Sequence, residues 1–352
     1  MIDFVKDAIE QVRGLFSGSF VQKDVVSGSV GIDIGSTTIK VMRLEKGKEK
    51  IRVFGFAIEK IVNKDCRDAL SRALIAAHVA PHQCAAVSVS GQGVVSRSIE
   101  LPLMNKSELE SSMQFEVEKY VPFPITEVSS DYAIIQEARD KAKMSVLIAA
   151  AKNDLINQRC ELAKGVNLDL KVVDLDCLAL ANFFTEIVGW QGKGSCIGVI
   201  NIGKSVSNIN ILVDGVPHLS RDIFIGGNDI TQRISEIYEM DYAQADSLKI
   251  SPQDKEKELI DAWETVLNNL AAEIRVSLDY FEARNNMAVE KIFITGGSSR
   301  LKNIEEFLGQ ALGVEIKKID YVSKISFEEG VDKNKFEENS DLLAIALGLA
   351  LR

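Results

Sequence analysis

Residues 31–44 read GIDIGSTTIKVMRL, and residues 198–212 read GVINIGKSVSNINIL. In both stretches an apolar run rich in β-branched residues leads into a short turn of small or polar residues, and a second apolar run follows. The alignment places Asp33 over Asn201 and Gly35 over Gly203. A strand, turn and strand that occur twice predict two similar domains that face each other.

Both turns have the composition of an anion-binding site. A tight turn with Gly at its bend directs backbone N–H groups toward an anion, and Ser or Thr hydroxyls add donors. Turns of this kind also occur in purely structural hairpins, so the composition alone does not decide the function. The residues expected to bind phosphate are Gly35, Ser36, Thr37 and Thr38 in the first half, and Gly203, Lys204 and Ser205 in the second.

Two charged residues flank the first turn. Asp33 ends the strand before it and is well placed to hold a hydrated Mg²⁺, an ion that keeps several waters and takes few carboxylates. Lys40, in the next strand, adds a positive charge near the phosphates. We therefore expect a magnesium ion beside the phosphate turns.

Residues 198–205, GVINIGKS, also match the pattern GxxxxGK[ST] of a P-loop. A P-loop needs flexible residues between its glycines and a helix after its Lys. Here VINI is strand-like, and the residues after Lys204 are typical of another strand that ends in an Asp-Gly turn. The stretch therefore predicts a hairpin rather than a P-loop.

Two further pairs of glycines follow predicted strands. Gly226 and Gly227 open a helix, whereas Gly296 and Gly297 separate the strand KIFIT from a helix expected over 301–312. Bare backbone at such glycines lets a nucleoside approach closely. Four Gly-rich turns in this order indicate a nucleotide site.

Composition narrows the class of protein. The 352 residues are 46% hydrophobic and carry a formal net charge of −10. Such an acidic chain without a cationic stripe argues against nucleic acid as a partner. The longest apolar run, 342–351, has ten residues, far fewer than the roughly 18 that span a membrane.

Shifts in composition divide the chain into four parts. Residues 1–29 are expected to form an amphipathic helix, over 2–16, and a Ser/Gly-rich linker. The first domain is expected over 30–93 and 166–197, the second over 198–352, and a small α+β unit, 94–165, is inserted into the first. In the insert we expect Ser107 and Glu110 to form the capping box of a helix that ends before Pro122.

The stretches GIDIGSTTIK, GVINIGKSVSN and FITGGSSRLKN resemble the phosphate 1, phosphate 2 and adenosine motifs of the actin-like and Hsp70-like ATPases. Within that group the chain resembles the PilM family of type IV pilus assembly, from about residue 29 to 352. The most specific matches are ELPLMNKSELESSMQFEVEKYVPFPITEVSSDYAII, SRDIFIGGNDIT, AAEIRVSLDYF and the terminal ALGLALR. The resemblance implies an α/β, actin-like ATPase fold of two duplicated RNase H-like domains with an inserted 1C-type subdomain.

The resemblance also implies that ATP and Mg²⁺ bind in the cleft between the domains. The match to the adenosine motif adds Ser298 and Arg300 to the nucleotide-binding set. Glu273 and Arg275, on the long helix before that motif, are candidate purine contacts. The alternative for this last pair is that they are ordinary surface charges.

Position 201 departs from the phosphate 2 motif of actin-like ATPases, in which an Asp ends this strand. Because Asn201 removes one carboxylate from the set that phosphoryl transfer uses, we expect ATP binding with at most weak hydrolysis. Asp176 occupies the place of an acidic residue that helps activate water in Hsp70-like relatives. The alternative is that Asp176 caps the helix that begins the apolar stretch LALANFF.

By the same resemblance, the protein is expected to be a cytoplasmic adaptor that protein partners hold at the inner membrane. It would dock the N-terminal cytoplasmic segment of membrane-anchored PilN and link the inner-membrane complex to the cytoplasmic motor, with other type IV pilus components as further partners. Homo-oligomerisation is left open. An FtsA-like, filament-forming cell-division protein is the main alternative and should end in a linker and a membrane-targeting helix. A sugar or acid kinase of the same superfamily is a further alternative.

The insert has more apolar residues than a small unit needs for its own core. We expect the surplus to form a groove, between insert and parent domain, for a short extended peptide. The alternative is that these residues simply pack on the parent domain. The residues expected to contact the PilN segment are Leu101, Leu103, Met104, Phe115 and Val117.

Overall fold

The computed structural model describes residues 28–47, 50–138, 143–189, 192, 194–250 and 256–352. The helix expected over 2–16 and most of the linker after it lie outside these residues. Within them, no helix is both long and apolar enough to cross a membrane.

The strands are bounded as follows: β1 (Ser29–Ile34), β2 (Thr38–Lys46), β3 (Ile51–Lys60), β4 (Cys84–Val89), β5 (Val94–Pro102), β6 (Val128–Ala138), β7 (Lys143–Lys152), β8 (Asp169–Leu175), β9 (Cys196–Ile202), β10 (Ser207–Val213), β11 (Val216–Ile223), β12 (Lys291–Thr295), β13 (Glu315–Lys318) and β14 (Ile325–Phe327). The α-helices are α1 (Cys66–Ala76), α2 (Lys106–Tyr120), α3 (Asn153–Gly165), α4 (Asp176–Phe183), α5 (Gly227–Tyr238), α6 (Tyr242–Ile250), α7 (Glu256–Asn285), α8 (Ile304–Leu312), α9 (Lys333–Glu338) and α10 (Ala344–Ala350). A π-helical turn, Phe184–Val188, follows α4, and 3₁₀ turns cover Ile125–Glu127, Gly297–Arg300, Val322–Lys324 and Ser340–Leu342.

The two large sheets repeat one topology. The strands run β3-β2-β1-β4-β8 in the first sheet and β11-β10-β9-β12-β13 in the second. In each sheet three strands form an antiparallel meander and two more join in parallel. The duplication predicted from residues 31–44 and 198–212 is confirmed, and the fold is the α/β fold of actin-like ATPases.

The P-loop pattern at 198–205 folds as a hairpin. Its residues occupy β9 and the turn after it, and β10 begins at Ser207 without an intervening helix. The chain from Cys196 to Val213 is therefore the equivalent of the β1–β2 hairpin, as the strand-like residues on both sides of the turn predict.

The inserted unit is a three-stranded sheet in the order β5-β7-β6. Helix α2 covers one face of it and buries Leu109, Met113 and Val117. The other face packs on the parent domain, where Ala149 and Leu147 contact the cluster that contains Leu178 of α4. The apolar residues that the sequence marks as a surplus are not on this face: Leu101 and Val117 are buried in the insert's own core, and Leu103 and Phe115 are exposed.

Two boundaries of the insert differ from the sequence expectation. The capping box of α2 is formed by Asn105 and Glu108 rather than by Ser107 and Glu110. Helix α3, placed in the insert by the sequence, buries Ala163 against the first sheet instead. The apolar pattern predicted α2, whereas residues 153–165 were assigned to the insert without a predicted helix.

The C-terminal part of the chain returns to the first sheet. Strand β14 pairs with β3 in parallel, and α10 packs between β1 and α4. A Cβ on Gly348 would lie 1.8 Å from the carbonyl oxygen of Ala179, so only glycine allows the close approach of α10 to α4. The expectation that 198–352 forms one domain therefore differs from the structure at its C-terminal end.

Candidate functional site

The two repeated hairpins meet at their turns. The Gly35 amide donates to the Thr38 carbonyl at 3.0 Å, and the Gly203 amide donates to the Val206 carbonyl at 3.1 Å, so each turn is closed by its own backbone. The hydroxyl of Ser205 donates to that of Ser36 at 3.2 Å. The turns that the sequence assigned to phosphate therefore face each other across the two domains.

The other two glycine pairs lie against the second turn. The Gly227 amide donates to the Gly203 carbonyl at 3.0 Å, and the Ser298 hydroxyl donates to the same oxygen at 3.0 Å. The Asn228 side chain donates to the Ser205 hydroxyl at 2.8 Å. All four Gly-rich elements therefore converge on one region, which sequence order alone did not require.

Gly296 and Gly297 have different structural roles. Gly296 has a φ of +92°, and a Cβ there would lie 2.5 Å from the Ile202 carbonyl oxygen, so this position requires glycine. Gly297 is exposed, and a Cβ there would approach only Leu342, at 3.2 Å. Gly297 is therefore the glycine that leaves a bare surface for a ligand.

Carboxylates gather at the neighbouring edge of the first sheet. Asp33, at the end of β1, is buried and accepts a hydrogen bond from the Lys40 ammonium at 2.9 Å. Asp176, at the end of β8, has its pKa raised to about 6 by burial and by the charge of Asp33, although hydrogen bonds from Ser88 and Ser90 oppose the rise. The carboxyl ends of parallel strands meet at one edge of a sheet, which explains the gathering.

Helix α4 begins at Asp176 itself, and its N-cap position is Leu175, which makes no side-chain cap. The alternative reading of Asp176 as the helix cap is therefore wrong. A partly buried carboxylate beside like charge is instead typical of a functional site.

The donor set fits a hydrated magnesium ion and a polyphosphate. Among the described residues no three His, Cys, Asp or Glu side chains group closely enough to cage a metal. Mg²⁺ is usually held by one or two carboxylates, phosphate oxygens and water, so Asp33 together with the hydroxyl-rich turns suffices. Lys40, bonded to Asp33, keeps a cation at the same place.

Three other residues of the expected nucleotide set bond to protein partners. Glu273 accepts from the Arg221 guanidinium at 2.6 Å, and Arg275 donates to the Leu312 carbonyl at the end of α8. Helix α8 begins near the Gly296–Gly297 turn, at the end of β12, and leads back to the start of β13 at the opposite edge of the second sheet. Arg275, which bonds to the last residue of α8, therefore lies far from Gly296 and Gly297. Arg300 forms a two-contact ion pair with Asp341, each at 2.5 Å, which fixes the chain that returns to the first sheet.

Helix α6 contributes residues that the sequence reasoning missed. The Lys249 ammonium donates to the Gly227 carbonyl at 3.0 Å and to Asp246 at 2.8 Å. Asp246 also lies 3.5 Å from the Lys204 ammonium, which in turn stands over the Tyr242 ring. This helix carries no glycine turn, so nothing local in its sequence connects it to the site.

The residues expected to contact a peptide divide into two groups. Leu101 and Val117 are buried in the core of the insert and offer no surface. Leu103 and Phe115 have 45% and 67% of their surface exposed, and Met104 is half-buried. The Ser112 hydroxyl contacts the Met104 sulfur, which places Met104 one helical turn from Phe115.

A family model described as type IV pilus assembly protein PilM matches residues 31–352. Among solved structures, a PilM–PilN type IV pilus biogenesis complex aligns with a TM-score of 0.82 at 23% identity over 94% of this chain and 99% of that chain. The ethanolamine utilization protein EutJ of Carboxydothermus hydrogenoformans aligns with a TM-score of 0.55 at 14% identity, over 99% of this chain and 98% of its own. MreB 5 of Spiroplasma citri bound to AMPPNP aligns with a TM-score of 0.51 at 9% identity, over 92% and 95%.

Proposed function

Because this chain belongs to the PilM family of type IV pilus assembly proteins, we propose that it is an ATP-binding adaptor that docks the N-terminal cytoplasmic segment of PilN. It would thereby join the inner-membrane complex to the cytoplasmic motor, held at the inner membrane through its partners. The observation that carries the nucleotide half of the proposal is the convergence of the four Gly-rich elements. The similarity to the solved PilM–PilN complex supports the docking of PilN.

The nucleotide would lie in the cleft between the two sheets. The turns at Gly35 and Gly203, with the hydroxyls of Ser36 and Ser205, would hold its phosphates, and Gly297 would face the nucleoside. Asp33 would hold the hydrated Mg²⁺, which neutralises phosphate charge when bound. The hydroxyls that now contact each other, Ser36 and Ser205, are on different domains, so a ligand between them would bridge the domains.

Binding is favoured over turnover by the residues at the cleft. Asn201 lies near the end of β9, where the phosphate 2 motif of actin-like ATPases has a carboxylate, and an amide cannot take a proton from water. Asp176 is the remaining acidic candidate for orienting water. ATP would therefore serve mainly as a structural ligand that stabilises the closed form by a few kcal/mol when its concentration far exceeds its Kd.

The PilN segment would dock on the insert, where Leu103 and Phe115 are exposed beside Met104. Both outer strands of the insert sheet, β5 and β6, pair only with β7 among the described strands, and Leu103 directly follows the end of β5. An exposed strand edge next to exposed apolar side chains suits an extended peptide, whose backbone pairs with the edge while a few side chains provide anchors. Leu101 and Val117 would support this surface from beneath.

Peptide binding tests the partner half. We expect Leu103→Asp and Phe115→Asp each to abolish binding of a synthetic peptide of the PilN N-terminal segment, because a short peptide depends on few anchors. ATP affinity should not change. Ile75→Asp is the matched control, since Ile75 is 75% exposed on α1 of the parent domain. Full peptide affinity in both folded insert variants would move the site elsewhere.

A further inference from the structure

Three polar side chains stand side by side across the second sheet. Asn201 on β9 is paired in register with Asn208 on β10, which is paired in register with Asp222 on β11. The three side chains therefore lie on one face, at the edge where the phosphate turn begins. At the equivalent level of the first sheet, Asp33 is paired with Lys40.

Hydrogen bonds join the three side chains in one direction. Asn201 Nδ2 donates to Asn208 Oδ1 at 2.9 Å, and Asn208 Nδ2 donates to Asp222 Oδ1 at 2.8 Å. An ionised carboxylate can only accept hydrogen bonds, whereas an amide presents a donor on one side and an acceptor on the other. Asp222 therefore dictates which way both amides face.

The far end of this chain of hydrogen bonds is anchored in the first half of the molecule. Asp222 Oδ2 accepts from the Gly91 amide at 2.8 Å, and Gly91 lies between β4 and β5, where the chain enters the insert. Asn208 is 1% exposed, so water does not compete for its amide. The carboxylate is thus held from both sides and fixes the orientation of its neighbours.

At the other end of this series of hydrogen bonds, Asn201 places an oxygen beside the Gly296–Gly297 turn. With Nδ2 of Asn201 committed to Asn208, its Oδ1 lies beside Gly296, only 2.6 Å from the point where a Cβ on Gly296 would stand. A reversed amide would place an N–H donor there instead. Position 201 lacks a carboxylate but therefore still has an oxygen acceptor.

We propose that Asp222 is a positioning residue of the nucleotide site: through Asn208 it orients Asn201 so that the Asn201 carbonyl oxygen faces the cleft as a neutral acceptor for the water shell of the magnesium ion. The inference rests on the proposed function. It explains how the cleft keeps an oxygen at position 201 without a carboxylate. It also assigns a role to Asp222, which sits in the family-specific stretch SRDIFIGGNDIT.

The test is the effect of Mg²⁺ on ATP affinity, measured by calorimetry with Mg²⁺ and with EDTA. Asp222→Asn can donate as well as accept, which removes the constraint on the two amides. We expect the tightening of ATP binding by Mg²⁺ to fall about fivefold, the effect of about one hydrogen bond. Affinity for metal-free ATP should stay within about twofold. Asp214→Asn, in the turn between β10 and β11, is the matched control and should leave both values unchanged.

A double-mutant cycle separates positioning from general stabilisation. If Asp222 acts through Asn201, Asn201→Ala should cause the same loss, and the double variant should lose no more than either single variant. Additive losses, or an unchanged Mg²⁺ effect in a folded Asp222→Asn protein, would overturn the inference. If the unmodified protein binds no ATP with or without Mg²⁺, the proposed function itself fails.

Discussion

Replacing Gly297 by Val should weaken ATP binding while leaving the fold intact. Gly297 is exposed in the 3₁₀ turn after β12, and a Cβ there would meet only the end of the Leu342 side chain, at 3.2 Å. A flexible side chain can shift by the few tenths of an ångström required, so the free energy of unfolding should change by less than about 1 kcal/mol. The neighbouring Gly296 allows no such substitution, because its Cβ would strike backbone at 2.5 Å.

The expected loss of affinity follows from the space that the valine occupies. If the nucleoside packs on the bare backbone of Gly297, the added methyl groups overfill that contact, at a cost of about 1–3 kcal/mol. The Kd for ATP should therefore rise by about 5- to 150-fold. Calorimetric titration with Mg²⁺ and ATP measures this change directly.

The control is Gly309→Val in α8, where the nearest atoms to an added Cβ lie at ordinary contact distances of 3.6 and 3.8 Å. That variant should keep the full ATP affinity. An unchanged Kd in folded Gly297→Val protein would refute the assignment of Gly297 to the nucleoside surface. So would an equal loss in both variants.

Three further predictions concern the core, the acidic edge and turnover. Gly348→Ala should lower the free energy of unfolding in urea by about 3 kcal/mol or more, because its Cβ would overlap the Ala179 carbonyl at 1.8 Å; a change below about 1 kcal/mol would contradict the packing of α10 on α4. Asp176, with its pKa raised from 3.8 to about 6, keeps a proton in the folded protein that the unfolded chain loses, so stability should fall by up to about 3 kcal/mol as pH rises from about 4 to 6. Asp176→Asn should remove that slope, and an unaltered pH dependence would argue against the burial of this carboxyl. Steady-state phosphate release from ATP should be slow or absent, and brisk release that depends on Asp33 would show that Asn201 does not prevent turnover.

Much of the architecture follows from local patterns. The turns after Asp33 and Asn201 each lie between two apolar runs, and burial of such strands fixes the register of the hairpin. The sequence also distinguishes a hairpin from a P-loop at Lys204, since the residues on both sides of the turn are strand-like. These signals are short-range, and the structure reproduces them.

The features that the sequence does not reveal depend on distant parts of the chain. Asn208 and Asp222 become neighbours only when β10 and β11 pair, and Gly91 joins them from another domain. The apolar run 342–351 predicts a helix, but its partner helix α4 lies more than 160 residues earlier in the sequence. Likewise, apolar residues such as Val117 look equally suited to a core and to a partner until the sheet that covers them is known.

A crystal structure with Mn²⁺ and a non-hydrolysable ATP analogue tests most directly whether ATP lies between the two hairpin turns. Manganese substitutes for magnesium and can be located by its anomalous scattering. We predict the triphosphate between Ser36 and Ser205, the metal on the Asp33 side, and the nucleoside against Gly297. A nucleotide bound elsewhere, or crystals that stay free of nucleotide at saturating concentration, would contradict the claim.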